Sequence, residues 1–177
     1  MIVTERLILR GWRAEDHAPF HAMGNDPRVM RFLGPSLTHA DVAAAIDRQK
    51  ELLGNLGYCF WAIERRSDSV FLGFCGIKPG PSGTPIADET EIGWRLAYDH
   101  WGHGYAREAA QASLDWAWAS LDAPGVAAMT VQANEASWGL MVRLGMQRVI
   151  GGDFDHPLFS EGDPLRRHIL YRIARPA

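Results

Sequence analysis

The first third of the chain changes from an alternating to a helical pattern of apolar residues. Residues 6–10 alternate polar and apolar side chains, which predicts a strand. The stretch 14–23 carries acidic residues in its first turn and predicts a helix. The apolar positions of 38–53 recur at helical spacing, and Thr38 with Asp41 three residues later is typical of a helix N-terminus. The chain is therefore predicted to open with one strand and two main helices.

The middle of the chain is rich in β-like runs. Residues 58–64 and 70–78 are apolar and aromatic, and the five polar residues between them predict a β-hairpin. Residues 89–96 form the next predicted strand. Because side chains alternate between the two faces of a strand, Glu91 and Arg95 are predicted to share one face.

Helices and strands alternate in the last third of the chain. Residues 106–121 place their apolar side chains in one stripe, which predicts an amphipathic helix. A second helix is predicted for 135–144, with Asn134 as its N-cap and Gly145 just beyond its end. Strands are predicted for 126–132, 146–150 and 167–174. This order of elements, without a repeat or a linker, predicts one α/β domain with a mixed sheet over residues 1–177.

Composition argues against several classes of protein. The chain has 177 residues, 47% of them apolar, and is long enough to bury a core without disulfides or metals. Its formal net charge of −3 is atypical of a protein that binds nucleic acid through a broad basic face, so no nucleic-acid partner is expected. The chain contains no run of about 18 apolar residues, so no membrane span is predicted. The N-terminal residues are strand-like rather than a signal peptide, and the predicted location is the cytoplasm.

The cysteines and one pair of histidines lack the pattern of a metal site. Cys59 and Cys75 fall in β-like runs and are interpreted as buried, reduced thiols of a cytoplasmic protein. His17 and His21 lie four residues apart in a predicted helix, but no carboxylate or third histidine is placed beside them in the sequence. No metal is therefore expected.

Two glycines separated by one residue lie between the predicted strand 89–96 and the predicted helix 106–121. Gly102 and Gly104 permit positive φ angles and let a ligand approach the backbone closely. A tight turn here presents N–H groups at a helix start, which suits a phosphate. A plain connecting turn is the alternative. The turn lacks the Lys-Ser/Thr pair of a P-loop and the third glycine of the dinucleotide motif, which argues against both of those sites.

Three segments resemble, in order and spacing, those of the GNAT acyltransferases. They are Glu-Ile-Gly-Trp-Arg-Leu at 91–96, Trp-Gly-His-Gly-Tyr-Ala-Arg-Glu-Ala at 101–109, and Asn-x-x-Ser at 134–137 followed by Leu-Gly-Met at 144–146. The closer likeness is to the branch of ribosomal-protein N-terminal acetyltransferases, and it covers most of residues 3–175. It implies one domain with a mixed sheet of about seven strands and about four helices, splayed near its middle where the cofactor enters.

The resemblance also implies how acetyl-CoA is held. In the family, the strand before the turn binds pantetheine through its backbone, and the turn binds the pyrophosphate. The residues carried over as cofactor-binding are Trp94, Arg95, Leu96, Trp101, Gly102, His103, Gly104, Tyr105, Ala106, Asn134 and Ser137. Asp99 departs from the family pattern, which has Arg or Gln at this position. Its side chain is expected to point away from phosphate, and His103 or Arg107 to supply the positive charge.

Acetylation of an amine requires a base, because unperturbed amines are protonated at neutral pH. Glu91 is the first candidate, since its strand runs to the point where the thioester is expected, and Glu89 is the second. The alternative interpretation of Glu91 is a carboxylate that lies on a solvated sheet face or pairs with Arg95. Ser137 matches a position that serves relatives as a cofactor contact and candidate acid, although serine is also common in the first turn of a helix. Further candidate acids or bases are His156, Tyr98 and Tyr171.

Two irregular stretches flank the acceptor side in the family. They are residues 25–33, with a short helical turn predicted at 29–33, and residues 151–164. The second stretch is acidic and favours attraction of a cationic amine, with a solubilising surface loop as the alternative. Its acidic residues are Asp153, Asp155, Glu161 and Asp163.

The function predicted from these residues is acetylation of a primary amine with acetyl-CoA as the donor. The acceptor is a protein N-terminus or a small molecule, and the protein is a monomer or a homodimer. The alternative is a domain that binds acyl-CoA as a sensor or partner-binding module without turnover. An intact Glu91 and Ser137 favour the enzyme.

Overall fold

The computed structural model describes residues 1–176, which form five α-helices and nine β-strands. The helices are α1 (His17–Gly24), α2 (Pro27–Met30), α3 (His39–Leu56), α4 (Tyr105–Ser120) and α5 (Glu135–Arg143). The strands are β1 (Ile2–Val3), β2 (Leu7–Arg10), β3 (Phe60–Arg65), β4 (Phe71–Pro79), β5 (Thr90–Leu96), β6 (Gly125–Val131), β7 (Gln147–Arg148), β8 (Phe154–Asp155) and β9 (Arg167–Ala174). The predicted α/β fold with a mixed sheet is confirmed. None of the helices in this described part of the chain is long and apolar enough to cross a membrane.

The strands form one sheet that is splayed at its centre. Their order is β1-β2-β3-β4-β5-β6-β9-β7, with β8 paired to β9, and only β5 and β6 run parallel. The parallel contact consists of two residue pairs, Thr90 with Val126 and Glu91 with Ala127. Beyond Glu91 the two strands separate, while β5 stays paired with β4 as far as Leu96. Within residues 1–176, the other backbone edge of 92–96 therefore has no strand partner.

Helices cover both faces of the sheet. Helix α4 buries Ala109, Ala110 and Leu114 against one face, in the larger apolar core. Helices α1 and α3 cover the other face, where Trp12 and Phe20 belong to a second core. The division follows from strand alternation, because successive side chains of β3 point into different cores.

The N-terminus of α3 has the geometry that its sequence predicts. The Thr38 hydroxyl accepts a hydrogen bond from the Asp41 N–H at 3.1 Å, and the Asp41 carboxylate accepts one from the Thr38 N–H at 2.8 Å. The helix ends at Leu56, and the capping residue Gly57 adopts φ +82°. Local sequence therefore determines both ends of this helix.

Within residues 1–176 the sheet has nine strands, two more than the seven predicted. Both β1 and β8 have only two residues, too few to give a clear alternating pattern. The strand predicted at 146–150 is confined to Gln147–Arg148. A turn follows it, in which the Gly152 N–H donates a hydrogen bond to the Val149 carbonyl and Gly151 has φ +74°.

Both cysteines are free and buried, as predicted. Cys59 lies immediately before β3 rather than within a strand, whereas Cys75 is part of β4. Burial raises the pKa of each thiol to about 12. Neither thiol is therefore a nucleophile in the folded protein.

A third histidine lies beside His17 and His21 in the structure, although the sequence does not place it there. His39, at the start of α3, stacks on both rings, with centroids 3.8 Å from His21 and 5.3 Å from His17. The rings are nearly parallel, so their nitrogens do not converge on one point. No group of three His, Cys, Asp or Glu residues within 1–176 is arranged to hold a metal ion.

Candidate active site

A cavity of about 1340 Å³ opens where β5 and β6 separate. Its walls come from the unpaired edge of β5, the glycine turn, the first turn of α4, and residues along the whole of α5. A segment that includes α2 and extends to Leu33 closes the opposite side. The cavity therefore brings together the three segments that the sequence singled out.

The glycine turn delivers an uncapped helix N-terminus to this cavity. Gly102 and Gly104 adopt φ +79° and +80°, a conformation that residues with a Cβ rarely adopt. Gly104 is the N-cap of α4, and no side chain caps the helix there. The first helical hydrogen bond runs from the Glu108 N–H to the Gly104 carbonyl, so the three N–H groups between them have no helical partner. Such a helix start binds anions, and Arg107 in the cavity wall adds a positive charge.

Side chains from distant parts of the chain hold the glycine turn in place. Arg6 donates a hydrogen bond to the His103 carbonyl at 3.0 Å and forms an ion pair with Glu108 at 2.6 Å. On the other side, the Trp101 indole N–H donates to the Leu96 carbonyl at 2.9 Å. The turn is thereby tied both to the N-terminal segment and to the end of β5.

Glu91 lines the cavity at the point where β5 and β6 separate. It is a buried carboxylate that forms an ion pair with Lys78, its neighbour across β4 and β5. Burial raises the pKa of Glu91, and the positive charge of Lys78 opposes this shift. The carboxylate is thus placed, and its pKa raised, in a way that suits a general base.

Comparison with known proteins shows the family of this chain. Residues 6–147 match the family described as acetyltransferase (GNAT) domain. A relative from Bacillus licheniformis, named uncharacterized N-acetyltransferase p20, is 30% identical over 83% of this chain and 82% of its own length.

The chain belongs to the GNAT acetyltransferase family.

Solved structures share the fold of this acetyltransferase along almost its whole length. An acetyltransferase from Agrobacterium tumefaciens str. C58 is 27% identical, with a TM-score of 0.78 over 97% of this chain and 92% of the other. RimL, a ribosomal L7/L12 α-N-protein acetyltransferase in complex with coenzyme A, is 16% identical, with a TM-score of 0.76 over 97% and 96% of the two chains. At that identity the likeness to RimL shows the fold alone.

Most of the residues expected to bind cofactor line the cavity of the acetyltransferase. They are Trp94, Arg95, Leu96, Trp101, Gly102, Gly104, Tyr105, Ala106, Asn134 and Ser137. His103 is the exception among the described residues, since its exposed side chain lies outside the cavity wall and only its carbonyl is held, by Arg6. Of the two charges proposed for the phosphate site, the structure therefore places Arg107 in the wall. Asp99 is exposed and does not line the cavity.

The side chain of Asn134 does not cap α5 as expected. Its amide donates a hydrogen bond to the Thr130 hydroxyl at 3.1 Å instead, which links the start of α5 to β6. Ser137 follows in the first turn of the helix, and its N–H donates to the Asn134 carbonyl at 3.1 Å. Asn134, Ser137 and Thr130 all line the cavity on the side of β6.

His156 does not line the cavity that contains Glu91. Its ring lies 4.8 Å from that of His168, and its Nδ1 accepts a hydrogen bond from the Leu158 N–H. Burial and the neighbouring charges of His168 and Lys78 lower the pKa of His156. The pairing of β8 with β9 holds His156 in this aromatic cluster.

Of the other three candidate acids and bases, Tyr98 alone lines the cavity. Glu89 pairs with Arg172 of β9, at 2.6 Å, and does not line the cavity. Tyr171 is buried in the larger core, whereas Tyr98 lines the cavity. The predicted alternative partner of Glu91 was wrong, because the ion pair joins it to Lys78 rather than to Arg95.

The acidic loop 151–164 does not line the cavity either. Asp153 pairs with Arg148 at 2.9 Å, and Asp155 lies between Arg166 and Arg167 at 3.3 and 3.2 Å. These ion pairs neutralise much of the charge of the loop. The cavity wall formed by residues 27–33 instead carries Arg28 and Arg31, so the structure does not support recruitment of a cationic amine by this loop.

Sequence reasoning missed Arg6 and Lys78. Arg6 lies about a hundred positions before the turn that it braces, and no local pattern connects the two. Lys78 is one of several charged residues at strand ends, and only the register of β4 against β5 places it opposite Glu91. A register-based alignment of the predicted strands 70–78 and 89–96 is the only signal that could have found it.

Proposed function

We propose that the protein transfers the acetyl group of acetyl-CoA to a primary amine by direct attack on the thioester. The observation that carries this proposal is the single cavity in which the free edge of β5, the uncapped start of α4 and the buried carboxylate of Glu91 meet. The first two features fit the pantetheine and the pyrophosphate. The carboxylate fits the proton transfer that an amine nucleophile requires.

In this proposal, the backbone edge of residues 92–96 hydrogen-bonds pantetheine as an added strand would. The N–H groups of Tyr105 and Ala106, with the side chain of Arg107, hold the pyrophosphate. Asn134 and Ser137 contact the cofactor from the opposite wall. Acetyl-CoA supplies the activated acyl group, whose C–S bond is exchanged for a C–N bond.

Glu91 takes the proton that the attacking amine loses, directly or through a water molecule. Its carboxylate must be ionised to do so, and Lys78 favours the ionised form. The leaving thiolate needs a proton, and the hydroxyls of Ser137 and Tyr98 are the candidate donors in the cavity wall. The acceptor enters on the side closed by residues 27–33. We place this reaction in the cytoplasm, where two free thiols stay reduced.

The test combines calorimetric titration with acetyl-CoA, CoA and NADH and a thiol-release screen against amines and N-terminal peptides. We expect acetyl-CoA and CoA to bind, NADH not to bind, and thiol release to depend on the acceptor. Binding without release from any acceptor would favour the sensor alternative. An absence of acetyl-CoA binding would contradict the assignment of the cavity.

A further inference from the structure

A phenylalanine ring lies on the surface of the sheet close to Glu91. Phe60, Gly76 and Gly93 are neighbours across β3, β4 and β5. A Cβ atom on Gly93 would stand 2.7 Å from the Cζ atom of Phe60, so the ring occupies the space that a side chain at 93 would fill. Glycine at this position therefore allows an aromatic ring to lie beside the candidate base.

Phe60 and Phe74 form an aromatic floor that two cavities share. Their rings stack with centroids 5.6 Å apart and planes 13° apart. Both side chains are half-buried, and both line the large cavity and a smaller one of about 400 Å³ between α3 and the sheet. An apolar group that enters either cavity can therefore bury its surface against these rings.

The aromatic floor begins within reach of a group that contacts Glu91. Glu91 and Gly93 belong to the same face of β5, two positions and about 7 Å apart. Lys78, the ion-pair partner of Glu91, has its Nζ atom 5.4 Å from the centre of the Phe60 ring. An amine that faces Glu91 therefore has the next few atoms of its own skeleton close to Phe60.

The carboxylates in the two cavity walls are poorly placed to bind a second cation. Within residues 1–176 they are Glu91, Asp41 and Glu135. Glu91 is paired with Lys78, and Asp41 accepts hydrogen bonds from the N–H and hydroxyl of Thr38. Glu135 begins α5, on the side that is assigned to the cofactor.

Positive charges, by contrast, lie close to the aromatic floor. Lys78 lies over Phe60, and the guanidinium of Arg95 lies over Phe74, 5.5 Å from the ring centre. The exposed Arg31 lines the same large cavity. These charges repel a second positive charge on an acceptor, whereas an apolar group gains from its transfer out of water.

We propose that the acceptor is a monoamine with a large apolar group that packs on Phe60 and Phe74 while its amine faces Glu91. This inference rests on the proposed function and names its substrate class. Phenethylamine and an N-terminal phenylalanine share this chemistry, since both place a ring at the same separation from an amine. Diamines and polyamines are expected to be poor acceptors.

The test compares matched acceptors by thiol release. Phenethylamine is measured against ethylamine, and hexylamine against hexamethylenediamine, which differs by a second ammonium group. Peptides that begin Phe-Ala against Ser-Ala, and Leu-Ala against Lys-Ala, repeat both comparisons for a protein N-terminus. We expect the apolar member of each pair to be preferred in kcat/KM by roughly 10- to 100-fold in at least one of the two sets, as burial of a group of this size predicts. The set that shows the preference identifies the source of the acceptor.

Equal use of the large and the small acceptor in both sets would overturn the inference while leaving the transferase intact. So would use of the doubly charged acceptor at least as good as that of its apolar counterpart in both sets. Either result would show that the aromatic floor does not select the acceptor.

Phe60→Ala should reduce the preference for the aromatic acceptor to within about threefold. The backbone N–H and carbonyl of Phe60 bond to Gln49 and Trp12, and the substitution retains both bonds. Phe71→Ala is the matched control with the preference retained, because Phe71 is a half-buried ring on the next strand that contacts Trp12 but lines neither cavity. An unchanged preference in Phe60→Ala, or an equal loss in both variants, would overturn the assignment of the ring.

Calorimetric titration with CoA shows whether Phe60→Ala is folded. If it is not, Phe60→Gln takes its place, since a glutamine fills much of the same space with a polar group. The expected loss of preference and the contrary outcomes are the same for both variants.

If the unmodified protein releases no thiol from any acceptor, the proposed function fails and the inference is tested by binding. The CoA complex is then titrated with the same acceptors. Tighter binding of the apolar member of a pair, lost in Phe60→Ala, would support the aromatic floor as its site. Equal binding of both members, including binding of neither, would overturn it.

Discussion

Lys78 and Glu91 occupy directly opposite positions on β4 and β5 and form an ion pair at the wall of the cavity. The pair sits where β5 separates from β6, so a reacting amine can approach the carboxylate from the open side. Burial and Lys78 act on the pKa of Glu91 in opposite directions, burial being the larger effect. The protonation of the proposed base therefore depends on its neighbour.

Lys78→Met should shift the acidic limb of the pH profile of kcat/KM toward higher pH. Activity rises with pH as Glu91 loses its proton. Removal of the positive charge leaves burial unopposed and raises the pKa of Glu91 further, so a smaller fraction is ionised at a given acidic pH. The pH–rate profiles of the two proteins check this, with the exposed Lys50→Met as the control. An unshifted limb would show that Glu91 is not the titrating group.

Glu91→Gln should reduce kcat by about 10²- to 10⁴-fold, the usual contribution of a general base. The amide keeps the size of the carboxylate but cannot accept the proton. Acetyl-CoA affinity, measured by calorimetry, should stay nearly unchanged. Glu89→Gln is the matched control, because Glu89 lies two positions away and pairs with Arg172 outside the cavity. Equal turnover of both variants across the pH range would exclude Glu91 as the base.

Gly104→Val should abolish detectable acetyl-CoA binding while the fold survives. The branched side chain is strained at φ +80° and stands where the phosphate approaches the backbone. The strain itself costs about 1–3 kcal/mol. Gly151→Val carries the same kind of strain at φ +74° in a distant turn and should lower stability without affecting binding. Calorimetry and thermal unfolding of both variants separate the two effects, and unchanged affinity of Gly104→Val would refute the phosphate site.

Arg6→Met should weaken acetyl-CoA binding by roughly 3- to 10-fold, which corresponds to the loss of about one hydrogen bond in the brace of the turn. The residue donates to the His103 carbonyl but does not line the cavity. Arg175→Met is a close control, because Arg175 donates to the carbonyls of Trp118 and Leu121 at the opposite end of α4. Equal affinities of the two variants would argue against the brace.

The two cysteines should be unreactive toward a disulfide reagent at pH 8 in the native protein. Burial raises the pKa of both thiols to about 12, which leaves almost no thiolate, and both side chains are inaccessible. We expect no thiol to titrate in buffer and two to titrate in denaturant. Rapid reaction of either thiol in the native state would contradict the structure.

The sequence by itself determined the order of the main elements and the position of the glycine turn. Periods of two and of 3.6 residues, the Thr38 capping pair and the paired glycines are local signals, and each acts within a few residues of its own position. The motifs around 91–96, 101–109 and 134–146 indicated the family for the same reason. Where the local signal was short, as for β1, β7 and β8, the prediction missed the strand or its bounds.

The tertiary structure decided what surrounds each site residue. Register placed Lys78 opposite Glu91, and the pairing of β8 with β9 drew His156 and the acidic loop away from the cavity. It also left the Arg95 Nε inaccessible to solvent and without a hydrogen-bond partner among residues 1–176. These relationships join residues that are far apart in the sequence, and they depend on which strands pair and how the helices pack. A local pattern carries no information about either.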